Sequence, residues 1–138
     1  MREVKEKKKS ESKKEVKAIS PKKLTPRQMA LKAAEFADDK KALDIIIFDV
    51  RKLTTVTDFF CICHGTSDRH AKTIAEDIIE QFKKNGHIPL ASEGFSTCQW
   101  IVVDFADIVV HVFQKDARDY YNLEGIWGDA PVVKAKVS

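Results

Sequence analysis

The stretch from Gln99 to Phe113 constrains this chain more than any other. It carries two runs rich in β-branched residues, Trp100-Ile-Val-Val-Asp104 and Asp107-Ile-Val-Val-His-Val-Phe113, separated only by Phe105 and Ala106. Two such runs with so little between them predict adjacent strands. Pairing Asp104 with Asp107 across the turn sets Val103 opposite Ile108, Val102 opposite Val109, Ile101 opposite Val110 and Trp100 opposite His111. Because side chains alternate across a sheet, one face is then wholly aliphatic, with Ile101, Val103, Ile108 and Val110. The other holds Trp100, Val102, Asp104, Asp107, Val109 and His111, a mixture suited to a surface that meets a partner. A slip of one residue would exchange the faces, and Phe-Ala is poor chemistry for a two-residue hairpin turn.

The rest of the chain supplies one domain around this pair. Its 138 residues are 43% hydrophobic and 33% charged, enough for a core under a hydrated surface. No apolar run approaches the roughly 20 residues that cross a bilayer, so no membrane association is expected. The N-terminus has charges but no apolar segment of a secretory signal. Its Glu3, Glu6, Glu11 and Glu15 argue against an organellar transit peptide, so the expected compartment is the cytosol.

The net charge of +3 hides a division. Residues 1–23 contain ten Lys or Arg and four Glu, a charge of +6, and the remainder carries −3. Residues 1–24 read as a Lys- and Glu-rich tail too poor in apolar groups to offset the entropy of ordering. The tail is expected to be disordered or a frayed helix, a solubilising extension or a weak non-specific contact for RNA. An acidic body is a poor binder of phosphate backbones and better suited to a basic protein. Cys61, Cys63 and Cys98 form an odd set of thiols, expected reduced and packed in the core. A zinc site would need further ligands at suitable spacing.

Along the body, taken as residues 25–130, Thr25-Pro26-Arg27-Gln28 has the form of a capping box with Pro at the first helical position. It predicts a helix over about 26–41 with a small-residue stripe at Ala30, Leu31, Ala34 and Ala37. Asp44–Val50 predicts a strand buried on both faces, and Asp58–His64 a second. Gly65-Thr66-Ser67-Asp68 turns into a helix running to Asn85, with Ala71, Ile74, Ala75, Ile78 and Phe82 at a period near 3.6 and Asn85-Gly86 as its stop. His87–Ala91 holds a proline and reads as an edge strand. Lys115-Asp116 opens a short helical stretch through Arg118, Tyr120, Tyr121, Leu123 and Trp127, and residues 131–138 read as a loose end. The prediction is an α/β fold with a single mixed five-stranded sheet, two main helices and a short C-terminal helix. That is too little helix to cover both sheet faces, and the Trp100 face is the one expected to be open.

Three chemistries can be weighed. Gly65-Thr66-Ser67 between a strand and a helix could hold an anion, and a Gly-Ser element followed by paired aspartates is how nucleotidyltransferases bind nucleotide and metal. Metal-binding carboxylates on one strand should sit two apart, however, whereas Asp104 and Asp107 are three apart and flank a turn. There is no Walker or dinucleotide-binding glycine pattern, and no cofactor is expected. His111 with Asp104 or Asp107 could form a base and its orienter, but no Ser or Cys nucleophile accompanies them, and a half-buried histidine bonded to a neighbour is the plainer alternative. Trp100 is either core or contact, and its face favours contact.

Taken together, Thr57-Asp58-Phe-Phe60, Gly65-Thr-Ser-Asp-Arg-His70, Glu93-Gly94, Trp100–Asp104, Asp107–Phe113, Arg118 and Tyr121-Asn-Leu-Glu-Gly-Ile-Trp127 resemble the ribosomal silencing factor family, also called Iojap-like or RsfS. The likeness spans about residues 26–130. It implies a fold related to nucleotidyltransferases without their catalytic site, and a non-enzymatic protein, often homodimeric. It also implies binding to the large ribosomal subunit through ribosomal protein L14, which blocks joining of the small subunit and represses translation. By matched position it points to Trp100, Asp104, Asp107, His111, Arg118, Tyr121 and Leu123 as partner-binding residues. The family commonly has Gly where this chain has Ala106, and the Lys-rich tail lies outside the family pattern. The rival reading is a nucleotide-handling enzyme that uses Gly65, Ser67 and the two aspartates.

Overall fold

The computed structural model describes residues 23–137, so the expectations for the Lys- and Glu-rich tail lie almost wholly outside the described residues. The capping box forms as its residues dictate: Gln28 N donates to Thr25 Oγ1 at 3.1 Å and Thr25 N to Gln28 Oε1 at 2.9 Å. Helix α1 (Pro26–Asp39) follows and buries Met29, Ala30, Ala33, Ala34 and Ala37. Strands β1 (Leu43–Asp49) and β2 (Phe59–Gly65) come next. Helix α2 (Asp68–Lys84) is capped by Ser67 and buries all five of its periodic apolar residues. Strand β3 (Ala91–Glu93), shifted beyond the proline, leads to β4 (Trp100–Asp104) and β5 (Ile108–Gln114). The C-terminal helical stretch is broken in two, α3 (Lys115–Tyr121) and α4 (Leu123–Ile126), by Asn122 in the left-handed region at φ 48°.

The sheet has six strands in the order β3-β4-β5-β2-β1-β6, not five. The sixth, β6 (Val132–Val133), comes from the expected loose end and adds antiparallel to Ile47 and Phe48 of β1. Only β2 and β5 run parallel. The β4–β5 register differs from the sequence expectation by two residues: Trp100 faces Phe113, Val102 faces His111, and Asp104 faces Val109. The turn lies one residue later, at Ala106-Asp107, closed by Phe105 N donating to Ile108 O at 2.9 Å. Ala106 occupies φ 72°, where glycine would sit without strain. An even slip leaves every side chain on its predicted face, so Ile101, Val103, Ile108 and Val110 are all fully buried together.

That aliphatic face is covered by α1 and α2, with Cys61, Cys63 and Ile47 in the same core. The three cysteines are free and buried, as expected, and burial pushes the Cys63 thiol up to about 12. The opposite face packs a second core of Phe48, Val50, Phe60, Ile62, Val109, Phe113, Ala117 and Ala130. In β1 only the C-terminal half, Ile47 and Phe48, is buried on both sides; Leu43 and Asp44 are exposed. β2 is the strand buried throughout.

Arg118 holds the C-terminal helices to this second face. Its side chain is 6% exposed, and each of its five N–H donors has an acceptor. Nε and Nη2 fork onto Glu124 at 3.1 and 2.9 Å, Nη2 also reaches Asp44 O at 2.7 Å, and Nη1 reaches Leu43 O at 3.3 Å and His64 Nδ1 at 2.9 Å. A lysine would bring the same charge but only three donors. Arg118→Lys is therefore expected to cost about 2–4 kcal/mol, the scale of two buried acceptors left unmet, read as a lower urea midpoint with an unchanged slope.

Two histidines are buried in the sheet, His64 and His111. Burial lowers both pKa values, helped at His64 by the Arg118 charge, and brings His111 from 6.5 to about 4. The unfolded chain thus takes up protons first as pH falls. For His111 the native state is unpenalised above pH 6.5 and loses stability as pH falls from 6.5 to 4, by about 3 kcal/mol at pH 4; His64 adds to the fall in the same direction. Urea midpoints measured from neutral pH down to about pH 4.5 should fall, and the fall should be distinctly shallower in His111→Phe.

Candidate functional site

The open face is built from rings. Trp100 at the start of β4 stacks on Phe113 of β5, with centroids 5.1 Å apart and planes at 24°. Tyr121, the last residue of α3, leans on the indole at 4.7 Å with planes tilted by 44°, and Tyr120 meets Tyr121 edge-on at 5.0 Å. His111 lies diagonally across the strand pair and accepts a hydrogen bond at Nδ1 from Trp100 Nε1 at 3.1 Å. Phe60 of β2 sets its ring perpendicular to His111 at 5.1 Å and also contacts Trp127 at 5.1 Å. Such offset and edge-to-face pairs are the favoured aromatic geometries. Trp100 remains partly exposed and Tyr121 is 47% exposed, whereas Phe113 and His111 are buried beneath them.

The local chain explains why the indole stands there. Gly94 has φ 94°, and a Cβ on it would overlap the carbonyl of Trp100. The β3–β4 connection can therefore pass Trp100 only with glycine at this position. β3 pairs in register with β4, placing Glu93 beside Val102 and Ala91 beside Asp104 on the open face. Glu93 is exposed, so a carboxylate stands at the margin of the ring cluster.

Of the residues singled out in the sequence, Trp100, His111, Tyr121 and Leu123 are brought together; Leu123 packs partly buried against the second core. Asp104 and Asp107 lie at the far end of the strand pair. Asp104 Oδ1 accepts from Ala106 N at 2.7 Å and so closes the turn, while Asp107 O accepts from Asp58 N at 3.1 Å. His111 is partnered by Trp100 rather than by either aspartate. Arg118 is buried with its donors committed as described, and acts on this face by fixing Tyr121 and Leu123. Phe60, Phe113, Trp127 and Glu93 were not singled out. The alternation along β5 could have found Phe113, which shares the face of Val109 and His111.

The residues of the nucleotide-handling alternative are not assembled. β2 and β5 run parallel with Phe59 beside Ile108 and Gly65 beside Gln114. Gly65 is thus about 20 Å along the strands from the Asp104–Asp107 turn, at roughly 3.3 Å per residue. Three amides at the turn and the first turn of the helix are also occupied. Thr66 N donates to His70 Nδ1 at 2.9 Å, His70 N to Ser67 Oγ at 3.0 Å, and Arg69 N to Asp68 Oδ1 at 2.7 Å. Among the described residues no group of three or more His, Cys, Asp or Glu could hold a metal ion, and no helix is long and apolar enough to cross a membrane.

Comparison with known proteins agrees with the sequence resemblance. The family model described as ribosomal silencing factor during starvation, RsfS, matches residues 23–138. Ribosomal silencing factor RsfS of Bacillus subtilis is 49% identical over 100 residues, covering 72% of this chain and 85% of that protein. The crystal structure of a protein from Chromobacterium violaceum superposes with a TM-score of 0.75 at 32% identity, covering 83% of this chain and 95% of that one. A mouse protein named mitochondrial assembly of ribosomal large subunit protein 1 is 31% identical over 94 residues, 64% of this chain but 40% of its own length. The mixed α/β sheet, the ring cluster grown from its family motifs and these matches lead to one assignment: the chain belongs to the ribosomal silencing factor family, and its role is tied to the ribosome.

Proposed function

We propose that this chain is a non-enzymatic translation repressor that works by bulk. Its open face docks on ribosomal protein L14 of the large subunit, in the cytosol, and the docked body occupies space that the small subunit needs in order to join. The observation that carries the reading is the partly exposed indole of Trp100, in contact with Phe113 and Tyr121 on the sheet face that α1 and α2 leave uncovered. Buried aromatic anchors surrounded by a polar margin are the usual composition of strong binding sites.

In this arrangement Trp100 and Tyr121 are the apolar anchor and Leu123 extends it. Asp104 and Asp107 supply the polar margin, with His111 and Arg118 supporting the anchor from below. The −3 charge of residues 24–138 favours a basic protein as partner, since complementary charge steers encounter and sets orientation. The +6 of residues 1–23 would add a weak, salt-sensitive attraction to ribosomal RNA around such a site. The name of the mouse relative ties that protein to the large subunit, which supports the large subunit as the platform. A non-catalytic mechanism is supported by the family's description as a silencing factor and by the separation of Gly65 from the aspartates.

Trp100→Ala is expected to weaken cosedimentation with purified large subunits about thirtyfold, the scale of an interface hot spot near 2 kcal/mol, while circular dichroism still reports a folded chain. Undiminished cosedimentation of a folded Trp100→Ala variant would count against the docking face. Saturable binding of ATP with magnesium in calorimetry would instead favour the nucleotide-handling alternative.

A further inference from the structure

We infer that His111 is a positioning residue: its Nδ1 takes the indole proton of Trp100 and so fixes which edge of the ring faces a partner. The inference rests on Trp100 being the docking anchor and adds what makes that anchor rigid. Stacking on Phe113 and the tilted contact with Tyr121 hold the plane of the indole, but ring-on-ring contacts are weakly directional and tolerate sliding and flipping. The hydrogen bond of 3.1 Å to His111 is directional and removes that freedom.

The protonation of His111 follows from its partner. An indole N–H is only a donor, so Nδ1 must offer a lone pair and the ring proton must sit on Nε2. Nε2 is buried and has no hydrogen-bond partner among the described residues. The ring of Phe60 stands perpendicular to that of His111, with centroids 5.1 Å apart, and an aromatic contact is at best a weak substitute for an acceptor. A buried donor without an acceptor costs stability. In its strand the other residues from Ile108 to Phe113 are all apolar, and position 111 is itself 7% exposed. An apolar ring would fill the same space and remove the orphaned Nε2–H, at the cost of the acceptor for the part-buried indole N–H of Trp100. What histidine adds there is the acceptor beneath Trp100, and the fold bears the orphaned Nε2–H in return for a fixed indole.

Three variants separate this from ordinary packing: His111→Phe, which keeps a ring but no acceptor; His111→Leu, also without one; and His111→Asn, whose Oδ1 lies close to where Nδ1 was. The chain has two tryptophans, so the indole N–H resonance of Trp100 is identified in labelled protein by its loss in Trp100→Ala. His111→Phe is expected to fold with a urea midpoint at neutral pH equal to or above that of the parent. Its Trp100 N–H should shift and exchange faster with solvent, and its large-subunit cosedimentation should weaken about three- to tenfold, the range for re-freezing one loosened side chain on association. His111→Asn should recover the resonance and most of the binding; His111→Leu should behave like His111→Phe. The inference is overturned if the acceptorless variants leave the indole resonance in place, or if they move it and binding does not change. It is also overturned if His111→Asn, while folded, binds no better than His111→Leu. If Trp100→Ala alone leaves cosedimentation intact, the docking reading fails instead, and the resonance in the free chain still decides whether His111 fixes the ring.

Discussion

The position of the C-terminal helices depends on the guanidinium of Arg118. From α3 it reaches the first two carbonyls of β1, a histidine of β2 and, past the kink at Asn122, the carboxylate of Glu124 on α4. One side chain therefore ties two short helices to each other and both to the sheet. Neither helix is long enough to be stable alone. Asn122 makes the kink possible by taking the left-handed conformation and accepting from Gly125 N at 3.2 Å, and a Cβ on Gly125 would collide with the Asn122 side chain. A buried charge pair is weak evidence for stability as such. Here its clearer consequence is placement, because Tyr121 ends one helix and Leu123 begins the next, and both meet the open face only when the kink is held.

The two faces of the sheet solve the covering problem differently. On one, two amphipathic helices lay small and aliphatic residues over Ile101, Val103, Ile108 and Val110. On the other the available helix is too short, and large flat rings do the covering instead. Tyr121, Trp100, His111, Phe60 and Trp127 form a connected series across β4, β5 and β2. Rings cover much area with few rotatable bonds, but they leave apolar edges at the surface that a helix would have screened. The same shortage of helix that fixes this packing thus leaves a surface able to gain from a partner.

Much of this was legible in the sequence because strand alternation has a period of two. The register expected for β4 and β5 was off by two residues, yet the faces came out correctly, since only an odd slip exchanges them. The capping box at Thr25, the periodicity from Ala71 to Phe82 and the stop at Asn85-Gly86 are local signals, and local structure follows them. Interactions over long distances were not legible. Nothing in the neighbourhood of Arg118 announces that its acceptors are the carbonyls of Leu43 and Asp44, more than seventy residues earlier. Val132-Val133 is too short to signal a strand before β1 offers it an edge. Histidine with two aspartates suggested an acid–base pair, but His111 accepts from Trp100, already its expected neighbour across the strands, and Asp104 accepts from the turn amide of Ala106.

On the proposed function, a protein that represses by occupying space has no transition state to stabilise, and what it needs is a long stay in one orientation. Residence is governed mainly by dissociation, and affinity is lost wherever side chains must be ordered on binding. Both considerations favour an anchor that is already fixed in the free chain. The indole of Trp100 is held in plane by stacking on Phe113, in rotation by His111 and by the tilted ring of Tyr121, which Arg118 fixes in turn. The open face therefore carries few loose parts at its centre, while the exposed carboxylates lie at its margin, where charge serves encounter and orientation more than residence. A buried histidine with an orphaned donor and an arginine with every donor engaged share one effect: they make a flat aromatic surface stiff.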